Sequence, residues 1–158
     1  GVPMNLELEV GKGSTRIDLT GLTLHRLVLD HSMGDADLVL KEPNPVEMED
    51  LVVHGKMGDL TVSGLGNAHA KRLDFVGQMG SYELDFDGDW QTDLEGSVSI
   101  TMGDAEIDMP PGVALELPKR RVLFGGMETS DRHTSRDEDS RHTATFRTRV
   151  QFGNLAIR

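Results

Sequence analysis

Three things are scarce in this sequence: cysteine, aromatic residues and long apolar runs. The 158 residues include no cysteine, which excludes thiolate metal sites, cysteine nucleophiles and a disulfide framework. Aromatic residues make up only 4% of the chain, so a row of rings for stacking on sugars is not expected. No segment approaches the ~20 apolar residues of a membrane span, and there is no signal-peptide h-region. We therefore expect no direct membrane insertion by these residues, and any targeting or anchoring segment to lie outside them.

Positive charge is also in short supply, with 16 Lys and Arg against 27 Asp and Glu and a formal net charge of −11. Nucleic-acid binding requires a clustered basic face, so we expect no nucleic-acid partner. The same balance disfavours electrostatic docking on an anionic membrane. The length fits one domain with a core large enough to fold without cross-links.

Glycine, in contrast, is abundant at 18 residues, and seven glycines recur at intervals of 21, 24, 22, 23, 23 and 27 residues. Four of them follow a methionine, and three of those four precede an aspartate. Such a period of about 23 residues predicts a repeated structural unit. The seven glycines are Gly13, Gly34, Gly58, Gly80, Gly103, Gly126 and Gly153.

Short alternating runs of apolar and polar residues flank these glycines, for example at 27–29, 51–53, 60–62 and 84–86. Period-2 alternation indicates strands, and the absence of a sustained helical period predicts almost no helix. A strand, a glycine bend, a second strand and a turn form one coil of a solenoid. We predict an all-β fold over residues 4–158: a single-stranded right-handed β-solenoid, parallel β-helix-like, of six to seven coils of about 23 residues. A β-sandwich is the main alternative.

The alternation predicts two interior ladders. One comprises Leu29, Val53, Phe75 and Ile100, and the other Leu19, Leu38, Val62, Leu84 and Ile107. Residues 128–145 are almost devoid of apolar side chains and are predicted to form a mobile charged loop. Because the ends of a solenoid are open sheet edges, we expect a cap, a preceding segment or a second copy to cover them.

The repeated methionines Met33, Met57, Met79 and Met102 have two readings. A thioether site for copper is one. Their phase matches that of the predicted inward residues, so the prediction is flexible core filler.

The aspartates after the glycines, Asp35, Asp59 and Asp104, are candidate Ca²⁺ ligands, because stacked carboxylates attract a hard cation. The calcium-binding solenoid repeat is a nonapeptide, however, and aspartate after glycine is also an ordinary turn residue. We therefore assign no metal or cofactor site from the sequence.

Histidines and aromatics offer weaker candidates. The predicted loop holds a loose metal-binding set, but a solvated charged hairpin explains these residues better: His133, His142, Asp131, Asp137, Glu138 and Asp139. His31 is predicted to face inward, hydrogen-bonded to backbone, and His54 to face outward. Tyr82 and Trp90 are the predicted exposed aromatics. No order of residues typical of a catalytic triad or carboxylate pair stands out, so we predict a protein that is not an enzyme.

With these repeats, the chain resembles the bacterial β-solenoid domains called toast-rack domains and the C-terminal domain of the cell-wall-active antibiotics response proteins. The segments that carry the resemblance are 10–13, 17–22, 102–110, 123–128 and 152–157. It implies an extracytoplasmic or membrane-tethered module, although the cytoplasmic face stays open. Some relatives restrain an envelope-stress sensor kinase, and others are labelled adhesins.

The functional prediction is a non-catalytic, envelope-associated interaction module with a protein partner, linked to envelope-stress signalling. The alternatives are a β-helix protein that binds or cleaves polysaccharide and a calcium-stabilised structural repeat. Self-association through the solenoid ends is a further prediction.

Overall fold

A computed structural model describes residues 2–110, 112–129 and 142–158 of the chain. It is an all-parallel β-solenoid of about six turns, as the repeat predicts. Within the described ranges the only helical element is a single 3-10 turn at Leu65–Ala68. The strands are β1 (Met4–Val10), β2 (Ser14–Asp18), β3 (Leu24–Met33), β4 (Asp35–Val39), β5 (Met48–Met57), β6 (Leu60–Ser63), β7 (Ala70–Asp85), β8 (Leu94–Asp108), β9 (Val113–Thr129) and β10 (His142–Ile157).

The order in which the coils stack differs from their order in the chain at one end. β1 with β2, β3 with β4, and β5 with β6 form the first three coils, followed by β7 and β8. The next layer is β10, which pairs with β8 on one side and with β9 on the other. β9 is therefore the outermost layer, and the expectation that all coils stack in sequence order is wrong there.

The bend glycines align across the coils, and the pairing follows a constant offset from each glycine. In the β9 coil the aligned glycine is Gly125 (φ 129°), not Gly126, because Gly153 pairs with Gly125. The offset also corrects both predicted ladders. Val98 rather than Ile100 pairs with Phe75, and Ile17 rather than Leu19 pairs with Leu38, although all of these except the half-buried Ile17 are buried.

The core is one narrow apolar stack between the two runs of strands, with most inward side chains almost fully buried. The ring of Tyr82 lies in this core over Gly55 and Gly77. A Cβ added to either glycine would be 2.5 Å from a ring atom. The Tyr82 hydroxyl donates to the carbonyls of Met79 and Gly55 at 3.1 and 3.3 Å. Gly77, on the same coil as Tyr82, and Gly55, on the preceding coil, thus leave the space that the Tyr82 ring fills.

The turn side of the solenoid is held by buried asparagines. Asn44 accepts a hydrogen bond from the Leu24 N–H at 2.9 Å and donates to the carbonyls of Leu24 and Ala68. Asn67 repeats this role one coil further on, donating to the Leu40 carbonyl at 3.0 Å. These amides satisfy backbone groups that the turns leave without ladder partners.

His31 and His54 lie on the predicted sides of the strands. His31 is 1% exposed and faces the core, but neither ring nitrogen has a hydrogen-bond partner among the described residues, so its predicted bond to backbone is wrong. His54 faces outward, with its Nδ1 3.2 Å from Asp30 Oδ1.

Candidate interaction surface

The repeated methionines lie on the surface and not in the core. Six apolar side chains, one on each coil except the first, form a continuous row along the glycine corner, each 42–66% exposed. We call this row the corner ladder. In stacking order its members are Met33, Met57, Met79, Met102, Phe152 and Phe124. The prediction that these methionines fill the core is therefore wrong.

The reason is the bend itself. In β3 burial alternates as far as His31, and the next buried residue is Ala36, so the period-2 pattern breaks between them. The chain turns at Gly34 with φ 95°, and the side chain before the glycine lies on the outer side of the corner. Extrapolating the alternation through the bend puts Met33 on the wrong side.

The ladder becomes aromatic towards the β9 end. The rings of Phe124 and Phe152 stack with centroids 5.2 Å apart and an interplanar angle of 6°. Val122 and Leu123, which precede Phe124 on β9, are 36% and 49% exposed, so the apolar surface widens at the β9 edge. The sequence signal was available, since both phenylalanines stand immediately before a bend glycine, as the methionines do.

The polar residues that follow the bend glycines form hydrogen bonds between neighbouring coils. Asp59 Oδ1 accepts the Ser81 N–H at 3.3 Å, and Asp104 Oδ1 accepts the N–H and side-chain amide of Asn154 at 3.1 and 2.9 Å. Asn154 in turn accepts the Gly126 N–H at 3.0 Å. These bonds give the carboxylates a structural role at the corner.

The structure does not bring the three calcium candidates together. Asp35 and Asp59 lie on adjacent coils, but the coil of Ser81 separates Asp59 from Asp104. Among the described residues there is no group of three or more His, Asp or Glu side chains that could hold a metal ion.

The strands after the bend present an outer surface, the second face, that is strongly acidic. A shallow groove of about 420 Å³ lies along it, between Asp59, Glu83 and Glu106. Arg16 and Arg158, the basic residues of this face, lie at its margins, 3.9 Å from Asp37 and 3.4 Å from Glu106. The acidic residues of the face are Asp18, Asp35, Asp37, Asp59, Glu83, Asp85, Asp104, Glu106, Asp108 and Glu128.

Crowding of carboxylates on the second face makes stability depend on pH. Partial burial, and then the neighbouring carboxylates Glu106 and Asp85, raise the pKa of Asp108 above its usual value. A carboxyl group whose pKa is raised by folding destabilises the native state while it is ionised, and this cost disappears as the pH falls.

We therefore expect Asp108→Asn to raise the melting temperature at pH 7, by on the order of 1–2 °C because the group is largely solvated. The gain should shrink as the pH is lowered and be nearly lost at about pH 3.5, where the carboxyl group is mostly protonated in both the folded and the unfolded state. Thermal melts between pH 3.5 and 8 measure this gain. Asp74→Asn is the control, because Asp74 lies on the outer surface of the strands before the bend. A gain that persists at pH 3.5 would contradict the electrostatic cause.

The remaining predicted site residues are dispersed. Tyr82 is buried, and Trp90 is half-buried and donates its indole N–H to the Phe86 carbonyl at 2.8 Å, so neither is the exposed aromatic that was predicted. His142 starts β10, with Nδ1 3.5 Å from Asp93 Oδ1. His133, Asp131, Asp137, Glu138 and Asp139 lie outside the described residues.

The predicted loop at 128–145 is too long at both ends. Glu128 and Thr129 end β9, and residues 142–145 begin β10. The rest of that range lies outside the described residues.

Comparison with known proteins returned no match to this chain among protein-family models, curated proteins or solved structures. A search of the described residues for a helix long and apolar enough to span a bilayer found none.

Proposed function

We propose that the protein is a non-catalytic interaction module of the bacterial cell envelope that binds another protein through the corner ladder. The observation that carries the binding role is the six-membered row of exposed methionine and phenylalanine side chains. Contiguous apolar surface of this kind is typical of sites that a partner covers. The envelope location and the link to stress signalling rest on the resemblance to toast-rack domains.

The surroundings of the ladder define the chemistry of the partner. Along one side it borders the acidic second face, beginning with Asp35, Asp59 and Asp104 immediately after the bends. A segment that places apolar residues beside Lys or Arg would match both surfaces. Methionine side chains are flexible and polarizable, so the ladder can adapt to apolar groups of different shape.

A pair of designed peptides tests this chemistry directly. An amphipathic peptide of leucine and lysine should bind, whereas a peptide of equal length made of leucine and glutamate should not. In fluorescence anisotropy, Met57→Ser/Met79→Ser should weaken binding of the basic peptide at least about tenfold, because apolar anchors carry most of the affinity.

The matched control replaces Val52 and Val76 with serine. Both lie on the outer surface of the strands before the bend, on the same two coils as Met57 and Met79. This variant should bind the basic peptide as the wild type does. Equal binding of the acidic peptide, or an equal loss in the control, would refute the ladder as the binding surface.

The envelope role needs a test in cells. A photoreactive residue at position 79, compared with one at position 76, should capture a partner in the intact envelope of the source organism. Capture of a membrane protein from position 79 alone, lost when Met57 is serine, supports the proposal. Recovery of cell-wall glycan would favour the polysaccharide alternative, and no capture above background would refute the envelope role.

A further inference from the structure

Among the residues that the structure describes, the two ends of the solenoid are unpaired edges of one parallel sheet. β1 and β2 form one end, and β9 forms the other. Because all strands run in the same direction, a second copy translated along the axis brings its β1 and β2 against β9 of the first with parallel strands. Half-buried apolar residues continue the core at both ends: Leu6, Leu8 and Ile17 at one, and Leu117 and Met127 at the other.

Strand pairing defines columns, each made of the residues that occupy the same position in successive coils. Following a column through every coil shows which residues of the two ends a head-to-tail stack would bring together. The column that starts at Glu7 continues through Val28, Val52, Asp74, Ser97 and Arg147 to Lys119. The column of Glu9 ends, in the same way, in Arg149 and Arg121.

On the second face the charges are reversed. The column that starts at Arg16 passes through Asp37, Thr61, Glu83, Glu106 and Ala156 and ends at Glu128. A head-to-tail stack would therefore place Glu7 beside Lys119, Glu9 beside Arg121 and Arg16 beside Glu128. Every column with a charge at both ends would pair opposite signs.

Pairing of opposite charges in register already joins neighbouring coils within the chain. In two cases the members of a pair are register partners on adjacent strands. They are Arg16 with Asp37 at 3.9 Å and Arg26 with Asp50 at 4.0 Å. The junction between copies would use the same arrangement.

The β9 end, in contrast, stacks like charges. Arg147 pairs in register with Lys119, and Arg149 with Arg121. Like charges directly opposite each other destabilise a sheet, and carboxylates on a following coil would relieve that repulsion. Glu7 and Glu9 of a second copy fall at those two positions.

From these columns we propose that the protein assembles head to tail, with β9 of one copy pairing in parallel with β1 and β2 of the next. Such an interface is heterologous, so it generates an open filament and not a closed dimer. With seven strand layers per copy and about 4.8 Å per layer, the axial repeat is about 34 Å.

Two residues on β9 moderate the affinity. Pro118 offers no N–H to a new strand, and Arg120 occupies the column of the inward residues Leu8, Phe75 and Thr148. A proline and an inward-placed charge are the means by which sheet edges resist uncontrolled pairing. Assembly is therefore reversible and concentration-dependent, and Arg120→Leu strengthens it.

Charge exchange tests the proposal by sedimentation velocity at low salt. The wild type should form a concentration-dependent series of oligomers that weakens as salt is added. Glu7→Lys/Glu9→Lys and Lys119→Glu/Arg121→Glu should each weaken association at least about tenfold. Mixing these two variants restores opposite charges at both junctions, so association should return.

A steric variant gives an independent test. A Cβ on each later bend glycine would overlap the carbonyl oxygen of the preceding coil, but at Gly13 it meets nothing within 4 Å. In the filament the Gly125 carbonyl of the preceding copy occupies that place. Gly13→Ala should therefore fold and stay monomeric.

Four outcomes would overturn the proposal. They are a wild type that stays monomeric at every concentration reached, oligomers that stop at two copies, no recovery when the charge variants are mixed, and unchanged assembly by Gly13→Ala.

Discussion

Replacing Gly80 with alanine should cost on the order of 4 kcal/mol or more of unfolding free energy, or prevent folding altogether. Gly80 has φ 140°, a conformation that residues with a side chain rarely adopt, and an added Cβ would overlap the carbonyl oxygen of Gly58 on the preceding coil. The overlap is with backbone that is paired on both sides, so no side chain can move to relieve it.

Gly13→Ala is the matched control for this prediction. Gly13 has a similarly positive φ of 103°, but a Cβ there meets no atom within 4 Å. It should cost only the backbone strain, about 1–2 kcal/mol. Urea unfolding of both variants, in dilute solution, separates the two effects. Equal losses would mean that backbone conformation alone, and not close stacking of the coils, requires glycine at the bend.

Gly77→Ala should change from destabilising to neutral or stabilising when Tyr82 is also replaced by alanine. The ring of Tyr82 lies where the new methyl group would go, with Cε2 2.5 Å from the Cβ position. Gly77→Ala alone should cost about 2–3 kcal/mol through overpacking. Tyr82→Ala alone should cost about 3–5 kcal/mol because it leaves a cavity. In the double variant the methyl group enters that cavity.

A double-mutant cycle from urea unfolding measures this coupling, which we expect to be at least about 2 kcal/mol. Tyr82→Phe is the control, because it keeps the ring and removes only the hydroxyl proton shared between the carbonyls of Met79 and Gly55, worth about 1 kcal/mol. Gly77→Ala should remain destabilising in that background. Additive losses in the alanine pair would contradict the packing of Tyr82 against Gly77.

The fold could be predicted from the sequence because each coil contains a bend glycine, and the coils can be aligned on these glycines. The bend glycines have positive φ, and residues at a constant distance from them pair across coils, as Phe75 and Val98 do at five residues before the bend. Counting from the glycines aligns the coils correctly except in the β9 coil, where the aligned glycine is Gly125 and not Gly126. Counting apolar alternation alone placed Ile100 in that ladder, which is two residues out of register.

The stacking order of the coils and the exposure of the corner ladder could not be predicted in this way. A periodic sequence shows which residues align but not which coils are neighbours, so nothing in the repeat distinguishes β10 beside β8 from β9 beside β8. The corner ladder was missed because period-2 alternation applies only along a straight strand. At Met79, which precedes Gly80, the strand bends while it stays paired in the sheet, and the side chain is 44% exposed on the outer side of the corner.

The placement of β10 has a consequence for synthesis on the ribosome. β9 emerges before β10, but among the strands that the structure describes its only partner in the finished molecule is β10, which begins 13 residues after β9 ends. While the chain grows, the edge of β8 and the whole of β9 therefore stay unpaired, and the coils cannot be added one by one in the order of translation. The native stack at this end can therefore form only after β10 has been made, and until then the unpaired strand edges expose the nascent chain to aggregation.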